Sequence, residues 1–175
     1  MRIRLVVEYD GTDFYGFQRQ PKLRTVDQVL KEAIYRVTKE EVQVIGSGRT
    51  DAGVHALGQV VAFNTDTLIP PEKYRKAINT YLPPDIRVVR SEKATPDFHP
   101  RFDALSKMYR YLIYRSNEGY TFHRRYSYNY TKPLDLEVMH KVARHVRGEH
   151  DFRGFMASGS AVQNTVRQVY QFTID

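Results

Sequence analysis

The chain has no cysteine, so neither a disulfide framework nor a thiolate metal site is open to it, and its fold must rest on its own core. No stretch approaches the run of about 18 apolar residues that a membrane-spanning helix needs. The opening MRIRLVVEYDG passes from a short apolar run into acidic residues, with no long hydrophobic region or small-residue cleavage site. A soluble, cytoplasmic protein is the expectation. There is no low-complexity linker and no internal repeat. His99, His123, His140, His145 and His150 are scattered and form no recognisable ligand set, so no metal is expected.

Acidic residues are in the minority, 20 Asp and Glu against 27 Lys and Arg, which leaves a net charge of +7. The excess is uneven: 15 basic against 13 acidic residues precede Phe98, and 12 against 7 follow from there. Such asymmetry suits contact with a phosphate backbone. Thirteen tyrosines and nine phenylalanines supply flat rings near arginines, the surfaces against which unstacked bases pack.

Alternation and helical periodicity predict an α+β fold, with strands at residues 2–8, 42–46, 58–64, 86–90, 105–115 and 126–131. Helices are predicted over 26–38, 71–81 and 135–147. Thr25 and Gln28 make a capping-box pattern ahead of the stripe Val26, Val29, Leu30, Ala33, Ile34 and Val37. Asp135 caps the last helix, whose Leu136, Met139, Val142, Ala143 and Val146 are expected to face inward. Residues 166–174 put Tyr170, Phe172 and Ile174 on one face of a further half-buried strand that needs a neighbour.

The string GSGRTDAGVHALGQVVAF, residues 46–63, is the most informative segment. A glycine-punctuated loop presents Arg49, Thr50 and Asp51, and Asp51 is the only carboxylate between Glu41 and Asp66. A lone acid beside an arginine, on a loop carried by strands, is either a site or a surface turn with an ion pair. Elsewhere Arg19, Lys22 and Arg24 form a charged loop cluster, a solvated face or a phosphate contact in equal measure. Tyr126, Tyr128 and Tyr130 alternate beside Arg124 and Arg125, as a stacking platform or as sheet packing.

The string GRTDAGVHA within that loop resembles the signature of the tRNA pseudouridine synthase A family. So do EYDGTDFYGFQRQP (8–21), DFHPRFDALSKMYRYLIY (97–114) and GEHDFRGF (148–155). Phe17 departs from the family's usual tryptophan, and Gly154 from a small polar residue. The resemblance implies a pseudouridine-synthase-like fold, a mixed, mostly antiparallel sheet with helices packed on it in two RRM-like halves. Residues 1–103 would form the first half and carry the signature loop, and 104–175 would begin the second. The family normally continues past Asp175, so the second half is expected to be incomplete, lacking a strand partner and a basic residue placed against the catalytic aspartate.

The implied activity is conversion of uridine to pseudouridine in the anticodon stem-loop of tRNA, at nucleotide positions 38 to 40, by a cofactor-free homodimer. Asp51 matches the family's catalytic aspartate and Tyr109, in the pattern Lys107-x-Tyr109, its active-site tyrosine. Arg49 matches the arginine that helps displace the target nucleotide. Lys107, His55, Arg124 and Arg125 are the further candidates for RNA contact. A carboxylate held at C1′ performs the task of a glycosidase carboxylate, stabilising electron-poor carbon or attacking it. Two rivals stand beside this reading: a noncatalytic RNA-binding fragment of the same fold, and a metal-dependent phosphodiesterase built on Asp51 and His55.

Overall fold

Strand β1, Arg2–Tyr9, alternates in burial as its sequence alternates in hydropathy. Ile3, Leu5, Val7 and Tyr9 are buried on one face, while Arg2, Arg4 and Val6 point to the other. The strand is one of two inner members of a four-stranded antiparallel sheet with order β2-β3-β1-β4, where β2 is Ile45–Gly46, β3 Ala56–Asn64 and β4 Ile86–Ala94. Leu5 lies opposite Val61 on one side and Ser91 on the other. The computed structural model describes residues 1–156, 159 and 163–175. These form two compact units, Met1–Arg110 and Tyr111–Asp175. Among the described residues the architecture is mixed α+β, mostly antiparallel, with three α-helices. None of those helices is long and apolar enough to cross a membrane.

Two helices belong to the first unit. Helix α1, Val26–Thr38, buries Val26, Leu30, Ala33 and Ile34 from its predicted stripe. Only half of the capping box forms: the Thr25 hydroxyl accepts from the Gln28 N–H, but the Gln28 amide turns along the helix to Glu32. Helix α2, Tyr74–Asn79, is shorter than the predicted 71–81 because its first turn, Pro71–Lys73, is a 3₁₀ turn. Its Tyr74 ring meets Phe63 edge-on at 5.6 Å. Asn79 then grips β4, donating to the Val88 carbonyl and accepting from the Val88 N–H. β4 runs on to Ala94 rather than stopping at 90 because residues 91–94 pair with residues 2–5 of β1.

The second unit departs further from expectation. Only Ile113–Tyr114 (β5) and Tyr128–Asn129 (β6) form strand, paired in parallel, where longer strands over 105–115 and 126–131 are predicted. Residues 101–110, which close the first unit, are exposed throughout, so the alternation predicted from 105 has no covered face to serve. Helix α3, Leu136–Val146, starts as predicted, with the Asp135 carboxylate accepting from Val138 N–H at 3.0 Å. Its stripe is not all inward, however. Ala143 is buried, but Leu136 and Val142 are more than half exposed. Strand β7, Gly148–Asp151, pairs antiparallel with β8, Val166–Val169, so the predicted last strand finds a neighbour but ends before Tyr170.

The centrality of β1 sets a stability expectation. Leu5→Ala empties a fully buried position and should cost about 2–5 kcal/mol, whereas Leu68→Ala, at a side chain 97% exposed, should stay within about 0.5 kcal/mol of the parent. Urea titration of both variants checks the contrast.

Candidate active site

The loop bearing Asp51 occupies residues 47–55, between β2 and β3. Its entry is fastened from three directions. The Ser47 N–H donates to the Val60 carbonyl at 2.8 Å, continuing the strand pairing. The Gln59 amide donates to the Gly48 carbonyl at 2.6 Å, and the Lys107 ammonium donates to the Ser47 carbonyl at 2.8 Å. Lys107 is thus brought to the signature loop, although its charge is spent on loop backbone here.

The tip of the loop is held by a second loop, residues 10–17, at the end of β1. Phe17 N–H donates to the Thr50 carbonyl at 3.0 Å, and Gly53 N–H donates to the Phe14 carbonyl at 3.1 Å. Thr50 also hydrogen-bonds through its hydroxyl to the Tyr9 phenol at 2.9 Å. The residues on either side of Asp51 are therefore tied, while the Asp51 side chain itself is exposed. Two glycines make this closeness possible. A Cβ on Gly11 would overlap the Val54 carbonyl, and one on Gly16, where φ is +83°, would sit 2.5 Å from the Thr50 carbonyl oxygen.

His55 closes the loop against the start of the second one. Its Nδ1 accepts from Gly11 N–H at 3.0 Å and lies 3.1 Å from the Asp10 carboxylate. The two contacts need opposite protonation: the first an unprotonated Nδ1, the second a protonated one. The same Asp10 oxygen also accepts from the N–H and hydroxyl of Thr12, so His55 faces an occupied acceptor. Among the described residues, no three His, Cys, Asp or Glu side chains lie together as a metal would require.

The other predicted residues fall in different places. Arg49 is exposed on the same loop as Asp51, and the Tyr109 ring is 81% exposed in the first unit. Arg124 and Arg125 belong to the second unit, where Arg124 donates to the Thr121 carbonyl at 2.6 Å. Two partners of the loop, Tyr9 and Gln59, were missed from sequence, as was Arg24, a partner of the second loop. Tyr9 lies just past the predicted strand 2–8, and Gln59 carries no functional reading in the sequence. Arg24 reads as part of a loop charge cluster. It instead forks onto the Asp85 carboxylate at 2.8 and 2.9 Å and lies 4.0 Å over the Phe14 ring. Its hydrogen bonds to Asp85 raise the proton affinity of its guanidinium despite partial burial.

A strand-borne loop thus presents an exposed aspartate, with residues on both sides of it held through their main chain. Residues 5–103 match the family described as tRNA pseudouridine synthase. Among individual proteins, tRNA pseudouridine synthase A of Syntrophomonas wolfei is 46% identical over 169 residues, covering 97% of this chain and 68% of that protein. The enzyme of the same name from Thermoanaerobacter sp. is 46% identical over 173 residues, covering 99% of this chain and 71% of its own. That from Brevibacillus brevis is 44% identical over 174 residues, again covering 99% and 71%. The chain belongs to the tRNA pseudouridine synthase family and is by that membership an isomerase.

Two measurements test the geometry. Gly16→Ala should cost about 1–3 kcal/mol through forced φ and the clash with Thr50, whereas Gly58→Ala, whose Cβ would meet only Val6 at 3.8 Å, should be neutral or stabilising by up to about 1 kcal/mol. Chemical unfolding separates them.

Tyr9 supplies the other measurement, because burial pushes its phenol above the ordinary 10.0 and the Thr50 hydrogen bond only partly opposes this. The folded chain holds that proton longer than the unfolded one. The associated stability is whole below the unfolded value and is lost as pH rises through the folded one. Tyr9→Phe should therefore flatten the fall in unfolding free energy as pH rises above about 10, while keeping the edge-on contact with Phe14 at 6.2 Å.

Proposed function

We propose that this chain isomerises uridine to pseudouridine in the anticodon stem-loop of tRNA, at nucleotide positions 38 to 40, in the cytoplasm and as a homodimer. The observation that carries the reading is the exposed Asp51 carboxylate on a loop whose Thr50 carbonyl and Gly53 N–H are both pinned by residues 14–17. A group so held reaches a substrate without having to be ordered first.

The reaction breaks the bond between C1′ and N1, turns the uracil, and joins C1′ to C5. The proton on C5 leaves and N1 gains one, so the isomer has the atoms of the uridine. Asp51 works at C1′ while that carbon is electron-poor, by charge or by covalent attack. Extracting the nucleotide from its stack costs a few kcal/mol, which Arg49 offsets by filling the gap with a planar cation. Tyr109 stacks the extracted base, and its hydroxyl serves removal of the C5 proton. Arg124, Arg125, His55 and Lys107 contribute phosphate or loop contacts along the RNA.

Tritium release from C5-labelled uridine in tRNA tests the assignment. Asp51→Asn should abolish release and leave tRNA affinity within a few-fold, because the lost interaction belongs to the transition state. Turnover equal to the parent's would sink the role of Asp51, whereas no release by the parent itself would leave a noncatalytic RNA-binding role. In the same assay Tyr109→Phe should keep affinity and slow release, whereas Tyr109→Ala should also lose about 1–3 kcal/mol of stacking in the binding free energy. Unchanged binding and turnover in both would return Tyr109 to an ordinary surface ring.

A further inference from the structure

We propose that Arg24 and Asp85 are positioning residues for the aspartate loop, acting through the second loop and not through RNA. Three contacts converge on the Arg24 guanidinium. It forks onto Asp85 at 2.8 and 2.9 Å, covers the Phe14 ring at 4.0 Å, and reaches the Asp13 carbonyl at 3.4 Å. The main chains join the same bracket: the Arg24 carbonyl accepts from Tyr15 N–H, and the Asp85 carbonyl accepts from Asp10 N–H, both at 2.9 Å. Residues 10–15 are thus clamped at both ends and in the middle.

What the clamp holds is the support of Asp51. Phe14, the residue under the guanidinium, offers its carbonyl to Gly53 N–H, two residues from the carboxylate. Phe17, three residues on, donates to Thr50, the residue immediately before it. A planar fork that stacks and pairs at once is a role arginine fills and lysine does not. The pair is half-buried on both sides, with Asp85 less exposed than Arg24. With its fork occupied by Asp85, the Arg24 guanidinium has little capacity left for a phosphate.

This inference deepens the proposed function and rests on it for its catalytic arm alone. The experiment uses the full chain and has two readouts: amide hydrogen exchange at Gly53 and Phe17, and single-turnover isomerisation with tRNA affinity measured alongside. Arg24→Ala should speed exchange at both amides about tenfold while Val61, in the β1–β3 ladder, keeps its protection. The single-turnover rate should fall about tenfold to a hundredfold with affinity within about twofold, the mark of a displaced reacting group. Arg24→Lys should recover only part of the rate. If Arg24→Ala unfolds the first unit, Asp85→Asn, which preserves volume, gives the same two readouts in weaker form.

Exchange at Gly53 indistinguishable from the parent in Asp85→Asn and Arg24→Lys would overturn the proposal, as would affinity falling in step with rate, which would make Arg24 an RNA contact. An unfolding midpoint that drops with no loss of rate per folded molecule would also overturn it, leaving a purely structural pair. Retained turnover in Asp51→Asn is a separate failure: it would sink the role of Asp51 and leave the exchange result standing.

Discussion

Two loops meet main chain to main chain, and the rest of the site depends on that meeting. Residues 10–17 leave the end of β1 and residues 47–55 join β2 to β3, so both emerge from one sheet. Their contact runs through the Phe17–Thr50 and Phe14–Gly53 hydrogen bonds, at a separation that a side chain on Gly11 or Gly16 would abolish. Side chains then secure what the backbone has set: the Tyr9 phenol on Thr50, Gln59 on Gly48, Lys107 on Ser47, and Arg24 on the loop beneath. A carboxylate exposed to solvent would ordinarily sit on mobile backbone. Asp51 sits between two held backbone groups, the Thr50 carbonyl and the Gly53 N–H, which is what pre-organisation means at the scale of one residue.

The local signals that the chain carries were readable where one residue's environment is set by residues near it in sequence. The alternation of β1 and the stripe of α1 each encode a single covered face, and both elements form within a residue or so of their predicted limits. The loop 46–55 was legible as a string because its pattern of glycine, acid and base is dense. Its anchoring was not. Arg24 and Asp85 stand 61 positions apart, and nothing in either neighbourhood signals the other. Gln59 looks like an outward strand residue until the hairpin register carries it back under the loop it supports.

The second unit shows why pattern alone overreached. KMYRYLIY has the composition and alternation of a strand, yet only Ile113–Tyr114 pairs, since a strand is made by its neighbour as much as by its own residues. Aromatic residues there associate with one another instead: Tyr114 stacks on His123 at 4.2 Å and on Tyr120 at 6.0 Å. The same reasoning applies to α3, whose cap forms from purely local chemistry while two of its five stripe residues stay exposed. Local rules start an element; what it buries is decided elsewhere.

The hydrogen bonds between the two loops join peptide groups, and every residue except proline brings the same peptide group. Substitution at Asp51 or Arg49 therefore changes the chemistry presented without moving the platform that presents it. The platform is indifferent to most side chains and intolerant of a few: a methyl group at Gly11 or Gly16, or a proline at Phe17 or Gly53 that removes the donor. A scaffold with that division of labour can accept new reacting groups at its tip while its architecture stays put, so its reactivity and its shape are free to change independently.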